Sequence, residues 1–209
     1  DQNSPYYLYA QADIKLQWAF VELIFEDYAN GFLDLKRAND LIEKNIKFYP
    51  DFKLNNKVKG LIDLLTEAIP KEADLALFAA GLSRSMEGSQ KLITTSVFFP
   101  MFKNEINIYL AFVNTYIKND PEFGLYKIKK TYTENTTNLF AQFTYANILS
   151  QLGKDMEVIE LLTNNPLHTK DDYLYIPYLD YLLAESQMNL KQYEKSKETF
   201  INFLSHSNN

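Results

Sequence analysis

The chain contains no cysteine, which removes thiol nucleophiles, disulfides, Cys-ligated zinc and iron–sulfur clusters in one step. Its two histidines, His168 and His206, cannot form a three-His metal site, so any acid–base chemistry would rest on carboxylates, Lys or Tyr. Glycine and proline are scarce, 6 and 7 in 209 residues, too few for a many-hairpin β-sandwich. Arginine is almost absent: of the 21 basic residues only Arg37 and Arg84 carry a guanidinium. Bidentate phosphate or guanine readout therefore has almost no donors, and a net charge of −6 with a pI near 5.0 repels a phosphate backbone. No nucleic-acid partner is expected. The longest apolar run, Leu75 to Leu82, falls far short of the roughly 20 residues needed to span a bilayer, so no integral membrane segment is expected either.

What remains is a chain with 46% hydrophobic and 23% charged residues, able to bury a core. Ser4-Pro5 reads as a cap followed by proline at the first helical position, and Ile14, Trp18, Val21 and Phe25 recur on one helical face. A second stripe, Leu16, Phe20, Leu23 and Ile24, widens the apolar arc, which predicts a helix packed between neighbours on both faces. Asn30-Gly31 reads as a C-cap, with a second helix from Phe32 to about Phe48. Further helices follow from Leu54 to Ile69, over about 72 to 80, and from Ser85 to Ser96. A sixth carries Ile106, Tyr109, Val113 and Tyr116. Asp120-Pro121 opens a seventh, the polar turn Asn135 to Asn138 leads into an eighth, and Gly153 separates that from a ninth ending near Asn164-Asn165-Pro166. Asp171-Asp172 read as N-cap chemistry for the last pair, which turns at Leu190-Lys191. Pro177 marks either a late start of the tenth helix or a kink within it.

The pattern predicts eleven helices in consecutive hairpins, an all-α chain without strands. Residues 1–209 read as a single helical-repeat domain, with a sub-boundary near 97–101 around Pro100 as the alternative division.

A shift of 38 positions lays the eighth and ninth helices on the tenth and eleventh: Phe143 on Tyr181, Ala146 on Ala184, Leu152 on Leu190, Leu162 on Phe200. Leu183-Ala184, Leu190-Lys191-Gln192-Tyr193, Ser196 and Phe200 resemble the tetratricopeptide repeat, with a large and a small residue on helix A, a turn followed by an aromatic, then a small residue and an aromatic on helix B. Small side chains at Ala184 and Ser196 let the paired helices approach, while Tyr193 and Phe200 are expected to fill the groove between hairpins. The preceding unit keeps Ala146 and Gly153 but has Asp155 at the turn aromatic and Val158 at the small position. Ala38 and Pro50 have the spacing of the repeat's helix B small residue and closing proline.

A second likeness runs through residues 29–97: Ala-Asn-Gly-Phe-Leu-Asp-Leu-Lys-Arg-Ala from Ala29, Lys-Gly-Leu-Ile-Asp-Leu-Leu-Thr-Glu-Ala-Ile-Pro from Lys59, and Ala-Ala-Gly-Leu-Ser-Arg-Ser-Met-Glu-Gly from Ala79. These resemble the ordered landmarks of the inclusion-body-clearance family of tetratricopeptide proteins, associated with the mitochondrial outer membrane in fungi, and of bacterial proteins with that layout. Together the resemblances imply an α–α superhelix, a solenoid of about five helix hairpins that binds other proteins and has no enzymatic activity.

In such repeats helix A lines the concave surface. Carrying those positions over selects Phe140, Phe143, Asn147, Ser150 and Gln151 in one unit and Tyr178, Tyr181, Glu185 and Met188 in the next. Aromatic anchors beside an amide and a carboxylate suit an extended or helical peptide. The same aromatics could equally be inter-repeat core. A second reading takes Tyr6, Tyr7, Tyr9 and Tyr173, Tyr175, Tyr178, Tyr181 as sugar-stacking platforms of an extracytoplasmic carbohydrate-binding protein, although AT-rich codon usage accounts for the tyrosines as cheaply. A peptide groove predicts Asn147 and Gln151 exposed on the wall that carries Tyr181; a glycan site predicts open ring faces in the Tyr173 to Tyr181 group.

An enzyme is not expected. Glu26-Asp27 and Asp171-Asp172 are adjacent in sequence and diverge around a helix, and no phosphate-cradling loop, His-Glu-x-x-His pair or nucleophile elbow occurs. No cofactor is expected. The predicted partners are a protein or peptide and, through an uncovered terminal repeat, a second copy of the chain. The sequence does not fix a compartment, and a start at Asp1 suits a soluble, processed extracytoplasmic protein or a fragment of a longer one.

Overall fold

Caps and prolines divide the chain much as their chemistry dictates. The computed structural model describes residues 1–25, 27–69, 71–116, 118–163 and 176–207. Within these the order is α1 (Pro5–Ile24), α2 (Tyr28–Phe48), α3 (Asn55–Ala68), α4 (Asp74–Ala79), α5 (Gly88–Phe98), α6 (Lys103–Tyr116), α7 (Pro121–Glu134), α8 (Leu139–Gln151), α9 (Asp155–Thr163), α10 (Pro177–Asn189) and α11 (Tyr193–Ser207). Short 3-10 turns lie at Lys71–Ala73 and Pro100–Phe102, and no strand occurs among the described residues. The fold is all-helical.

Asp120 and Asn138 cap α7 and α8 by accepting from Phe123 N and Ala141 N, and Pro121 and Pro177 stand at the first turns of α7 and α10. Pro177 therefore begins its helix and does not kink it. Gly153, φ +65°, and Lys191, φ 61°, make the left-handed turns between α8 and α9 and between α10 and α11. Asn30-Gly31 proves not to be a C-cap. Asp27 accepts from Asn30 N and starts α2 at Tyr28, so both residues lie inside its first turn, because an aspartate N-cap satisfies orphan N–H groups that Asn-Gly cannot. Gly88, expected inside the fifth helix, is its first residue. Asp171-Asp172 and Asn164-Asn165-Pro166 lie outside the described residues.

The chain forms two compact units, residues 1–106 and 107–209, dividing within α6. In the first, α1 packs on α2, and α3 on α2 and α5. Ala12, Leu16, Ala19, Leu35, Ala38, Ile42, Val58 and Ile62 form its interior. Buried Asn45 donates to Pro5 O at 2.8 Å and to Asn55 Oδ1 at 2.7 Å, tying the start of α1 and of α3 to the end of α2. Lys57, 4% exposed, pairs with Glu105 at 2.8 Å and with Asp13 at 3.5 Å, and lies 5.0 Å from the Phe102 ring centroid. Gly60 and Gly88 let α3 and α5 touch backbone to backbone: a Cβ on Gly88 would sit 2.6 Å from Gly60 O and 2.9 Å from Leu64 N.

One expectation fails in α1. Its stripe Ile14, Trp18, Val21 and Phe25 is 58%, 55%, 40% and 79% exposed, because the small Ala12 and Ala19 beside Leu16 provide the face that docks on the neighbouring helices. Phe20 is half-buried, and the Leu23 and Ile24 side chains lie outside the described residues.

In the second unit α7, α8, α9, α10 and α11 pack each on the next, and α8 also meets α10. Ile108, Ala111, Leu125, Ile128, Ala146, Ile148, Leu149, Val158, Leu179 and Leu182 make one core. Gly124 is the contact point of α7 with α6, where a Cβ would lie 2.8 Å from Ala111 O. Ser196 Oγ donates to Ala184 O at 2.8 Å, so the small pair closes the last hairpin. Tyr193, expected in a groove between hairpins, is 62% exposed: it stands at the first position of α11, one turn before the buried face set by Ser196.

Asp34 links the first two helices electrostatically. It accepts from Lys15 Nζ at 2.9 Å and from Arg37 Nη1 at 2.7 Å. Burial alone would raise its pKa, but the hydrogen bonds and charges of Lys15 and Arg37 outweigh it and hold the carboxyl below its ordinary range. A depressed carboxylate pKa stabilises the fold above the unfolded-state value, and that contribution disappears as pH falls through the folded value. Asp34→Asn should therefore cost about 1–3 kcal/mol at pH 7 and progressively less toward pH 3, as urea unfolding at a series of pH values would measure. Gly88→Ala should cost about 1–3 kcal/mol through forced separation of α3 and α5. Gly153→Ala, with open space around its Cβ, meets only the left-handed backbone penalty of roughly 1–2 kcal/mol, and thermal melts of the two variants should separate the effects.

Candidate partner-binding site

Helices α8 and α10 carry one pattern 38 residues apart: Phe140 and Tyr178, Phe143 and Tyr181, Asn147 and Glu185, Ser150 and Met188. Steps of three, four and three residues keep each set on a single helical stripe. The structure sorts the stripe by depth. Phe143 and Tyr181 are partly buried and pack against the core of the second unit, whereas Phe140 is 59% and Tyr178 43% exposed.

The rings meet in series. Phe140 stacks on Phe143 at 6.3 Å, Phe143 lies 6.0 Å from Tyr178, and Tyr178 stacks on Tyr181 at 5.3 Å with 14° between planes. Phe200 and Phe203 of α11 present edge-on contacts to Tyr181 at 5.9 and 5.8 Å. Each such pair adds about 0.5–1.5 kcal/mol beyond the area it buries, so the ladder is a braced structure. On α6, Phe112 and Tyr116 lie 4.6 Å apart and are 53% and 45% exposed. Burial raises the Tyr116 pKa, and the Tyr178 phenol raises it further.

Phe112 and Tyr116 were not among the sequence candidates. Ile106, Tyr109, Val113 and Tyr116 fit one helical face, but the helix buries Ile106, Leu110 and Val113 and turns Phe112 and Tyr116 outward. The signal that could have found them is the i, i+4 aromatic pair on the helix preceding α7, at the place in its hairpin that α8 and α10 hold in theirs.

The polar candidates divide. Asn147 is half-buried and its Nδ2 donates to Phe143 O at 2.9 Å, so its amide is turned back onto its own helix. Ser150 is half-buried and Gln151 exposed, at the end of α8. Glu185 is half-exposed and accepts from the Tyr181 hydroxyl at 3.5 Å. Its charge is the main reason that the Tyr181 pKa is raised, with burial and the Tyr178 phenol adding to it. Met188 is 45% exposed one turn beyond. Among the described residues no three His, Asp or Glu side chains gather closely enough to hold a metal ion, and no helix is long and apolar enough to cross a membrane.

The chain matches no protein-family model, no curated protein and no solved structure.

Of the other aromatic candidates, Tyr9 is only 7% exposed and packs edge-on at 6.0 Å against Phe52, as Tyr6 does at 4.9 Å. Tyr173 and Tyr175, with His168, lie outside the described residues. His206 is exposed near the end of α11, its Nδ1 2.9 Å from Asn202 O.

Base and outer rings should behave differently on truncation. Tyr181→Ala removes the ring on which Tyr178, Phe200 and Phe203 all rest and should cost about 2–4 kcal/mol. Phe140→Ala, which removes a more exposed ring with a single ring partner, should stay within about 1 kcal/mol of the parent in urea unfolding, and Tyr178→Ala, whose ring has two partners, should cost about 1–2 kcal/mol.

Proposed function

We propose that this chain is a non-enzymatic protein-interaction scaffold, a tetratricopeptide-like solenoid whose A helices offer their concave face to a peptide or protein segment. One observation carries the reading: exposed aromatic rings on α8 and α10 form a ladder whose inner members are fixed by the core. Exposed apolar surface that is continuous and rigidly supported marks interaction sites, whereas scattered exposed apolar residues do not. Tyr and Phe contribute contact area with few rotatable bonds, and rings already held by neighbours lose little entropy when a partner arrives.

The likeness of residues 29–97 to the inclusion-body-clearance family supports the same reading. Two of its glycines, Gly60 and Gly88, sit where α3 and α5 touch, so the shared landmarks have a packing role suited to a helical repeat. In this reading Phe140 and Tyr178 are the anchors, Phe143 and Tyr181 their base, and Asn147, Ser150, Gln151, Glu185 and Met188 the border. A carbohydrate platform fits less well. Sugars stack on open ring faces, and Tyr178 and Tyr181 already cover one face of each other.

The test is an affinity pull-down from the native organism's extract with the full chain and a Phe140→Ala/Tyr178→Ala variant of verified helicity, followed by calorimetry on the purified captured protein. Binding by the parent, with affinity at least about tenfold weaker in the variant, is the expected outcome. Equal affinity for both would place the interface elsewhere, and no captured protein would end the scaffold reading in favour of a glycan-array search.

A further inference from the structure

We infer that the segment received by the aromatic ladder carries lysine or arginine, a deepening that rests on the protein-interaction reading above. The chain distributes its charge unevenly. Residues 107–116, 139–151 and 177–189, which supply every A helix of the second unit, contain no Lys and no Arg. The described lysines of that unit, Lys118, Lys127, Lys129, Lys130, Lys154, Lys191, Lys195 and Lys197, fall on α7, α11 and the connecting turns.

The A helices do carry two carboxylates. Asp180 is buried and accepts from Asn202 Nδ2 at 2.6 Å, so it is committed to packing α10 on α11. Glu185 is half-exposed and lies at the Tyr181 hydroxyl, at the edge of the ladder. The site therefore presents the exposed rings of Phe140 and Tyr178 and one acidic group, with no basic side chain on α8 or α10.

That composition selects among peptides. An acidic or carboxylate-terminated segment would find no cation on α8 or α10 to neutralise it. A lysine ammonium or arginine guanidinium is attracted both by the ring quadrupoles and by the Glu185 carboxylate, while the aliphatic stem covers ring surface. The chain shows the same chemistry internally, with Lys127 5.3 Å from the Phe123 centroid and Lys57 5.0 Å from that of Phe102. The occupant is therefore a basic segment of another protein, extended or helical, with its cation near Tyr178, Tyr181 and Glu185.

The test is to pan a random peptide library, about 12 residues long, on the full chain, with counter-selection on the Phe140→Ala/Tyr178→Ala variant. Peptides retained by the parent alone should be enriched in Lys and Arg, and a fluorescein-labelled copy of the most enriched should bind Glu185→Gln roughly three- to tenfold more weakly by anisotropy. Exchanging the peptide's Lys or Arg for Gln should weaken binding to the parent by a similar factor and should leave little further effect of Glu185→Gln. Parent-selective peptides without Lys or Arg enrichment would overturn the cationic assignment and leave the scaffold reading standing. Recovery of no parent-selective peptide would remove both, and a peptide affinity unchanged by Glu185→Gln would overturn the role given to that carboxylate.

Discussion

How closely two paired helices approach decides what the rest of the second unit can do. At the last hairpin the distance is set by Ser196 against Ala184, 4% and 0% exposed, where the hydroxyl spans the gap to the opposite backbone carbonyl at 2.8 Å. Larger side chains at both positions would push α11 away from α10. With the gap closed, Phe200 and Phe203, four and seven residues beyond Ser196 on α11, reach the edge of Tyr181. Tyr181 in turn provides the flat surface on which Tyr178 stacks. The preceding hairpin meets the same constraint with Ala146 and Val158, both fully buried, and closes it by packing alone.

The consequence is a division of labour within each stripe. A ring that is half in the core loses its conformational freedom on folding, so that loss is already part of the fold when a ligand arrives. The outer ring, resting on the inner one, keeps its exposure but has few alternative positions. Phe140 on Phe143 and Tyr178 on Tyr181 are two copies of this arrangement, produced by the same 38-residue shift that relates the helices themselves. Glu185 adds polarity where the equivalent residue of the first copy, Asn147, is turned inward to Phe143 O. The repeated backbone plan thus carries unequal chemistry at its two ends.

The helices and most of their ends were legible because caps and breakers act locally: Asp120-Pro121, Asn138, Gly153 and Pro177 each work within one turn. The ladder residues of α8 and α10 were legible because a repeat maps one helix onto the next. What escaped depended on neighbours. The stripe from Ile14 to Phe25 obeys helical periodicity as well as any core face, and nothing within α1 says that Ala12, Leu16 and Ala19 will be the residues buried. Phe112 and Tyr116 escaped for the converse reason, since a face assigned to the core by periodicity turned out to be shared between core and surface. Asn30-Gly31 was misread because two local signals competed, and the carboxylate of Asp27 satisfied more backbone than a glycine could.

The separation of charge in the second unit bears on how a ligand would be recognised. Lys127, Lys129 and Lys130 stand on α7 and Lys195 and Lys197 on α11, so these cations belong to helices other than α8 and α10. At physiological ionic strength a single carboxylate such as Glu185 acts over about 8 Å, a Debye length. Any preference for a cationic segment must therefore arise at contact, from ring faces and one carboxylate, and not from long-range attraction. Contact recognition of this kind is set by dissociation more than by encounter, and it depends on the rings being in place beforehand. The hairpin contact at Ser196 and Ala184 supplies that condition, because it brings Phe200 and Phe203 of α11 against the Tyr181 ring on which Tyr178 stacks.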